Sequence, residues 1–232
     1  MQGGPTTEAP TTFSERIRAA TWDAHAGAEH TPFMQDLLAG RLGRDEYAQL
    51  VAQHHAIYEV LEAAVDASSD ADIAPLLAPE LRRLPELAAD LDYLAGPSWR
   101  DSLAVTPSTE AYCEQLRAVC FDWSGGLVAH HYVRYMGDLS GGLVIGRVVE
   151  RVFELPDGNG TRFYRFDAIA SPKTVKDEYR RMLDELPWDD AEQLRVIDEV
   201  LAAYRCNTEV LIDLTPDVRE ARHPLAGRAI AN

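Results

Sequence analysis

The 232 residues predict an all-α single domain, on three observations. Apolar residues recur at three- and four-residue spacing almost end to end, the period of helices lying on a core. Hydroxyl residues or proline head these segments and glycine or proline follow them, as helix boundaries require. No internal repeat or long linker divides the chain, and this length buries one large core.

The elements follow in order. Phe13, Ile17, Ala20, Ala24 and Ala28 trace one face from a start at Ser14-Glu15. A second helix runs from Pro32 to Ala39 and stops at Gly40; a third, Gly43 to Ala67, carries Tyr47, Leu50, Val51, Ile57, Tyr58 and Leu61. Pro79-Glu80 opens a shorter helix ending near Gly96-Pro97, and Thr106-Pro107-Ser108 opens one through Tyr112, Leu116, Val119 and Cys120. Gly126 to Phe153 is again apolar with helical period, interrupted by Gly137, Gly141, Gly142 and Gly146. Asp157 to Gly160 is a turn, Phe163 to Phe166 a short extended piece, and helices from Pro172 to Leu186 and Ala191 to Leu214 complete the fold, with Pro216 as the stop. Residues 1–12 are a loose Pro/Thr/Gly-rich lead-in without the apolar stretch of a signal peptide, 13–214 the domain, and 215–232 a loose tail.

Composition excludes several function classes. A formal charge of -16 argues against nucleic acid or an anionic membrane as the main partner. No apolar run approaches the roughly 20 residues of a membrane span, so membrane insertion is excluded and a cytoplasmic location expected. Cys113, Cys120 and Cys206 lack metal-type spacing; Cys113 and Cys120, seven apart, share a helix face and read as packed thiols. The only two lysines, Lys173 and Lys176, fall in one short segment.

Three constellations carry chemistry. Arg18, His25 and Glu29 share a face of the first helix, with Glu29 placed four residues on to accept from the imidazole. A metal-bound histidine wants such a partner. Arg18 lies about 10 Å back along the axis, the reach from a central iron to a carboxylate on a porphyrin rim. An amphipathic helix with an incidental His–Glu pair accounts for the same residues. The second is Tyr132 to Gly142, where three glycines in six residues of a helix each cost about 1 kcal/mol against alanine. Gly137 and Gly141 share a face with Asp138 beside them, which suits close approach of backbone to a flat ligand along a kinked helix. A turn capped by Asp138 is the alternative. The third is Lys176 and Arg180, one turn apart beside Lys173 and Arg181: a carboxylate clamp, or a solvated stripe paired to Asp177 and Glu178.

The segment TWDAHAGAEHTPFM from Thr21 strongly resembles the proximal helix of haem oxygenases, and YVRYMGDLSGG from Tyr132 their distal helix. AADLDYLAGPSW from Ala88, TPSTEAYCEQL from Thr106, FYRFDAIASP from Phe163 and KDEYR from Lys176 match in the same order, so the resemblance spans roughly 13–214 and is closest to bacterial members. It implies an all-α fold with haem b between a proximal helix and a kinked Gly-rich distal helix. The haem is opened with O2 at a meso carbon, the alpha one, to biliverdin, CO and ferrous iron.

The resemblance also assigns roles. His25 is the proximal iron ligand and Glu29 its hydrogen-bond partner; Gly137, Gly141 and Gly142 lie over the distal face. Asp138 shares ordered water with Tyr58, Arg134 and Asn207. Arg18, Tyr132, Lys176 and Arg180 hold the propionates, and Phe33, Met34, Phe163 and Phe166 wall the pocket. Leu143, where many relatives carry glutamine, departs from the pattern, and Gly146 adds a flexible point. The implied partner is a ferredoxin- or flavin-type reductase as external electron donor, and a monomer is expected.

Other readings compete. A haem carrier needs His25 and the clamp but neither Asp138 nor the glycines. Thiaminase-type enzymes share the helical architecture but use a cysteine signature this chain lacks. A di-iron bundle wants two Glu-x-x-His motifs, and only Glu220 to His223 fits. The pairs His54-His55 and His130-His131 point about 100° apart on a helix and read as polar or interfacial.

Overall fold

The computed structural model describes residues 11–215, and the expectations for a lead-in and a tail, like the Glu220–His223 motif, fall almost wholly outside the described residues. Thr11, Thr12 and Thr215 are the exceptions: Thr12 caps the first helix, α1 (Phe13–Glu29), in a reciprocal box with Glu15, and Thr215 donates its N–H to the Ile212 carbonyl at 3.0 Å. Ser14, one residue on, donates its N–H and hydroxyl to Asp184 at 2.7 and 3.0 Å, tying the start of α1 to the end of α9 (Pro172–Asp184).

The next helices are α2 (Pro32–Leu38), α3 (Arg44–Ala67), α4 (Leu84–Ala95), the one-turn α5 (Trp99–Ser102) and α6 (Pro107–Val119). The helix expected from Pro79 begins later. Pro79–Leu81 forms only a 3-10 turn, because α4 is started from outside: Glu62 of α3 accepts from the backbone N–H of Arg83 at 2.6 Å and of Leu84 at 3.0 Å. These are two of the four donors a helix start leaves unpaired.

After α6 the chain runs helically from Ser124 to Val152: α7 (Ser124–His131), two π-helical stretches (Tyr132–Met136 and Asp138–Gly142) and α8 (Leu143–Val152). The interruption expected at the glycines is therefore a widening of a continuous helix, the form such irregularities often take at functional sites. Gly137 itself keeps helical φ/ψ of -62 and -49°. The last helix is α10 (Asp190–Asp213).

Among the described residues no strand forms, and α3 is the central element, packed against α4, α6 and α7, while α10 packs on α1, α6 and α7. Tyr47, Leu50, Ile57, Tyr58 and Leu61 of α3 are buried in one continuous core. The piece from Phe163 to Phe166, expected extended, is a 3-10 turn at Arg162–Tyr164. Asp90 of α4 forces it, accepting from the backbone N–H of Arg162 and Phe163 at 2.9 and 2.8 Å. No helix of the described residues is long and apolar enough to cross a membrane.

Cys113 and Cys120 are buried free thiols, and burial pushes Cys113 up to about 11, far from a nucleophilic thiolate. The histidine pairs are not interfacial: His54, His55, His130 and His131 are all buried. His55 meets Trp99 edge-on, His130 bonds Tyr112 and Glu199, and His131 bonds Tyr179.

Candidate active site

One cleft, with about 810 Å³ of space counted out to its mouth, gathers residues from α1, α2, α3, the Gly-rich helix and α10. It brings together His25, Met34, Arg134, Gly137, Asp138, Gly141, Gly142 and Asn207. Its remaining lining is mainly apolar: Ala28, Leu50, Val133, Ile145 and Leu211, with His54, Tyr164 and Tyr204. This lining is that of a pocket for a mostly apolar small molecule.

His25 reaches the cleft from α1, and its ring lies edge-on to Tyr204 of α10, centroids 5.9 Å apart. Glu29 closes α1, but its side chain lies outside the described residues, and with it the expected bond to His25. On the Gly-rich helix, a Cβ built on Gly137 would meet nothing within 4 Å, so bare backbone there borders open space. Gly142 and Gly146 differ: a Cβ would come within 3.3 and 2.7 Å of Tyr164. Gly146 is therefore a close-packing position for the Tyr164 ring, which corrects its expected role as a flexible point. Leu143 packs against the core without lining the cleft.

Asp138 is half-buried at the wall of the cleft. The Tyr58 hydroxyl donates directly to its Oδ2, where only a water-mediated link was expected. Burial raises the Asp138 carboxyl, opposed by the charge of Arg134 and by the Tyr58 bond. Burial and the carboxylate push Tyr58 well up, so the phenol keeps its proton and remains the donor. Arg134, 6% exposed, donates to Asn207 Oδ1 at 2.7 Å and to His54 Nδ1 at 3.0 Å, with its guanidinium 4.9 Å from the centroid of the Tyr58 ring. A half-buried acid hydrogen-bonded to a buried phenol beside a fixed cation can hold protons and order water next to a ligand.

The four expected rim residues come from three elements. Burial raises the Tyr132 hydroxyl while Arg180 and Arg18 pull it down, so both cations lie near it. Lys176 donates to Ser140 of the Gly-rich helix at 3.0 Å, and Arg180 pairs with Asp177 at 2.9 Å. Pairs of the solvated-stripe kind also form: Lys173 with Asp177 and Arg181 with Glu178.

Three expected wall residues stand behind the cleft. Phe33 and Phe163 are fully buried in the core, and Phe166 lies under the Arg83 guanidinium at 4.2 Å. The turn held by Asp90 brings Tyr164 to the wall instead, while Phe163 packs on His54 and Tyr58. Sequence reasoning also missed His54, Tyr204 and Leu211, although His54 is one turn before Tyr58, and Tyr204 and Leu211 flank Asn207 at helical spacing.

The profile of the family described as Heme oxygenase matches residues 11–213. Heme oxygenase 2 of Synechocystis sp. is 35% identical over 215 residues, covering 91% of this chain and 86% of its own. The crystal structure of heme oxygenase-2 from the same organism in complex with heme and NO superposes with a TM-score of 0.85 at 34% identity, covering 92% of this chain and 88% of that one. Heme oxygenase-1 of this cyanobacterium, in complex with heme, gives 0.84 at 29% identity, covering 95% and 100%. With a profile match across nearly all of the described residues and relatives alike along their length, the chain belongs to the haem oxygenase family of oxidoreductases.

Proposed function

We propose that this chain binds haem b as both cofactor and substrate and opens it at the alpha meso carbon. The products are biliverdin, CO and ferrous iron; O2 and electrons from a ferredoxin- or flavin-type reductase are consumed. The observation that carries this reading is the convergence on one cleft of the His25 imidazole, the bare backbone at Gly137 and the Asp138 carboxylate, which accepts from the buried Tyr58 hydroxyl behind it. The solved cyanobacterial relatives are haem complexes, and the residues here fit the group. Apolar side chains suit a macrocycle, one imidazole suits its iron, and Arg18, Tyr132, Lys176 and Arg180 suit its carboxylates.

Bound haem supplies the iron at which oxygen is reduced and the ring that is attacked. The protein does the rest. His25 ligates and Glu29 orients it. Gly137 and Gly141 would let backbone lie against the haem, where side chains would block access to the ring edge, while Gly142 seats the Tyr164 ring at the wall. Asp138 accepts from Tyr58 at Oδ2 and orders water at Oδ1, with Arg134 and Asn207 completing the network that delivers protons. A carrier has no use for a half-buried carboxylate held by Tyr58, whose partial desolvation is a cost without a task. We place the enzyme in the cytoplasm, acting as a monomer.

The test is the absorption spectrum of haem-reconstituted protein before and after ascorbate in air, with catalase present. Loss of the haem band with appearance of biliverdin is expected; a persistent haem band overturns the reading. The rim is tested separately. Reversing Lys176 and Arg180 together to Glu is expected to weaken haem binding on the order of tenfold or more, the scale of lost charge-assisted bonds. It should also broaden the mixture of biliverdin isomers. The same cations should dock an acidic donor, so ferredoxin-driven turnover slows as ionic strength rises. Unchanged affinity and isomer pattern return these residues to a solvated stripe.

A further inference from the structure

His54 stands four residues before Tyr58, so both project from one side of α3. Tyr58 holds Asp138; His54 holds Arg134, whose Nη2 donates to His54 Nδ1 at 3.0 Å. Arginine has donors only. The His54 Nδ1 therefore carries a lone pair, and the neutral ring carries its proton on Nε2. Its surroundings support that state. His54 is buried, its ring lies 5.3 Å from that of Phe163, and the Arg134 charge opposes a second one beside it.

Arg134 is held at two ends, by His54 of α3 and by Asn207 of α10. Its Nε is buried without a hydrogen-bond partner, and the other contacts of the guanidinium are with Tyr58, whose ring centroid lies 4.9 Å away, and with the charge of Asp138. Because Arg134 donates to Asn207 Oδ1, the Asn207 amide turns its NH2 away from Arg134, on a residue that lines the cleft. The same guanidinium charge pulls the Asp138 carboxyl down against the effect of burial. Loss of the acceptor at position 54 would strand Nη2 in the interior and release the cation from its place beside Asp138.

We propose that His54, locked as the neutral Nε2–H tautomer, is a positioning residue that fixes Arg134 and, through it, the Asn207 amide and the charge beside Asp138. Only its effect on turnover rests on the reaction proposed above. The tautomer is read on the full-length chain without haem, by long-range proton–nitrogen NMR. Nδ1 should be unprotonated and Nε2 protonated across about pH 5–8, the range in which a free imidazole titrates. His54→Leu and His54→Gln, reconstituted with haem, give the functional arm. The leucine variant should lose biliverdin yield on the order of tenfold and gain peroxidase activity with added hydrogen peroxide. The glutamine variant, whose amide oxygen can accept from Arg134, should restore the parent partition. Because His54 lines the cleft, both variants are compared at saturating haem, and the partition between biliverdin and peroxidase activity is the readout.

A protonated Nδ1 overturns the proposal, as does a leucine variant with the parent partition or a glutamine variant no better than leucine. If the leucine variant does not fold, the tautomer and the glutamine variant still decide. Should the parent chain make no biliverdin, the reaction assignment fails, and the haem-free tautomer alone judges the positioning role.

Discussion

Asp138→Ala is expected to bind haem with the parent affinity and yet make little biliverdin, a loss of about 100-fold or more on the scale of general acid–base contributions. The substitution removes both the acceptor of the buried Tyr58 hydroxyl and a negative charge that acts on the buried Arg134. Water in the cleft then lacks its anchor, while His25 and the cationic rim, on other elements, are untouched. The fate of the oxidant should change with it: the variant should show peroxidase activity with added hydrogen peroxide, read with a chromogenic donor. Stability should fall by ~1–3 kcal/mol, the cost of a buried phenol left unpaired. Asp138→Asn, whose amide oxygen can still accept from Tyr58, should retain part of the yield. Biliverdin formation by the alanine variant at the parent rate would make the motif purely structural.

His25→Ala is expected to abolish turnover, with at least a 100-fold loss of biliverdin formation and a changed spectrum of the bound haem, because among the described residues no other histidine is placed to share the role. His54 also lines the cleft, but its Nδ1 is engaged by Arg134; His30, one turn on from Ala26, bonds that residue's carbonyl at 2.6 Å. The space left by the imidazole is small and bordered by Tyr204. Added imidazole should enter it and restore both the spectrum and a measurable part of the activity. An unchanged spectrum in the alanine variant would remove His25 as the ligand.

Much of this was legible in the chain itself. Helical period with capping residues placed α1, α2, α3, α6 and α10 to within a residue or two, since these boundaries depend on local chemistry: Thr12 with Glu15, Pro107 after Thr106, Asp189 before α10. The GDLSGG run marked the helix that borders the cleft, because glycines there are costly without a use for bare backbone. Three features escaped. α4 began late because its acceptor, Glu62, comes from another helix. Phe163 to Phe166 turned where an extended piece was expected because Asp90 captures two backbone donors. Tyr164 replaced the expected phenylalanines at the wall as a consequence, seated against Gly146.

The division has a physical basis. By itself the sequence determined most of the helices, the single domain and the Gly-rich stretch that borders the cleft, all of which follow from periodicity and local hydrogen bonding. Tertiary structure alone decided which groups are bonded to which: Tyr58 directly to Asp138, and Arg134 to both Asn207 and His54. Those partners lie 80, 73 and 80 residues apart. No local rule links them, because the burial that makes such bonds obligatory exists only once α3, the Gly-rich helix and α10 have packed.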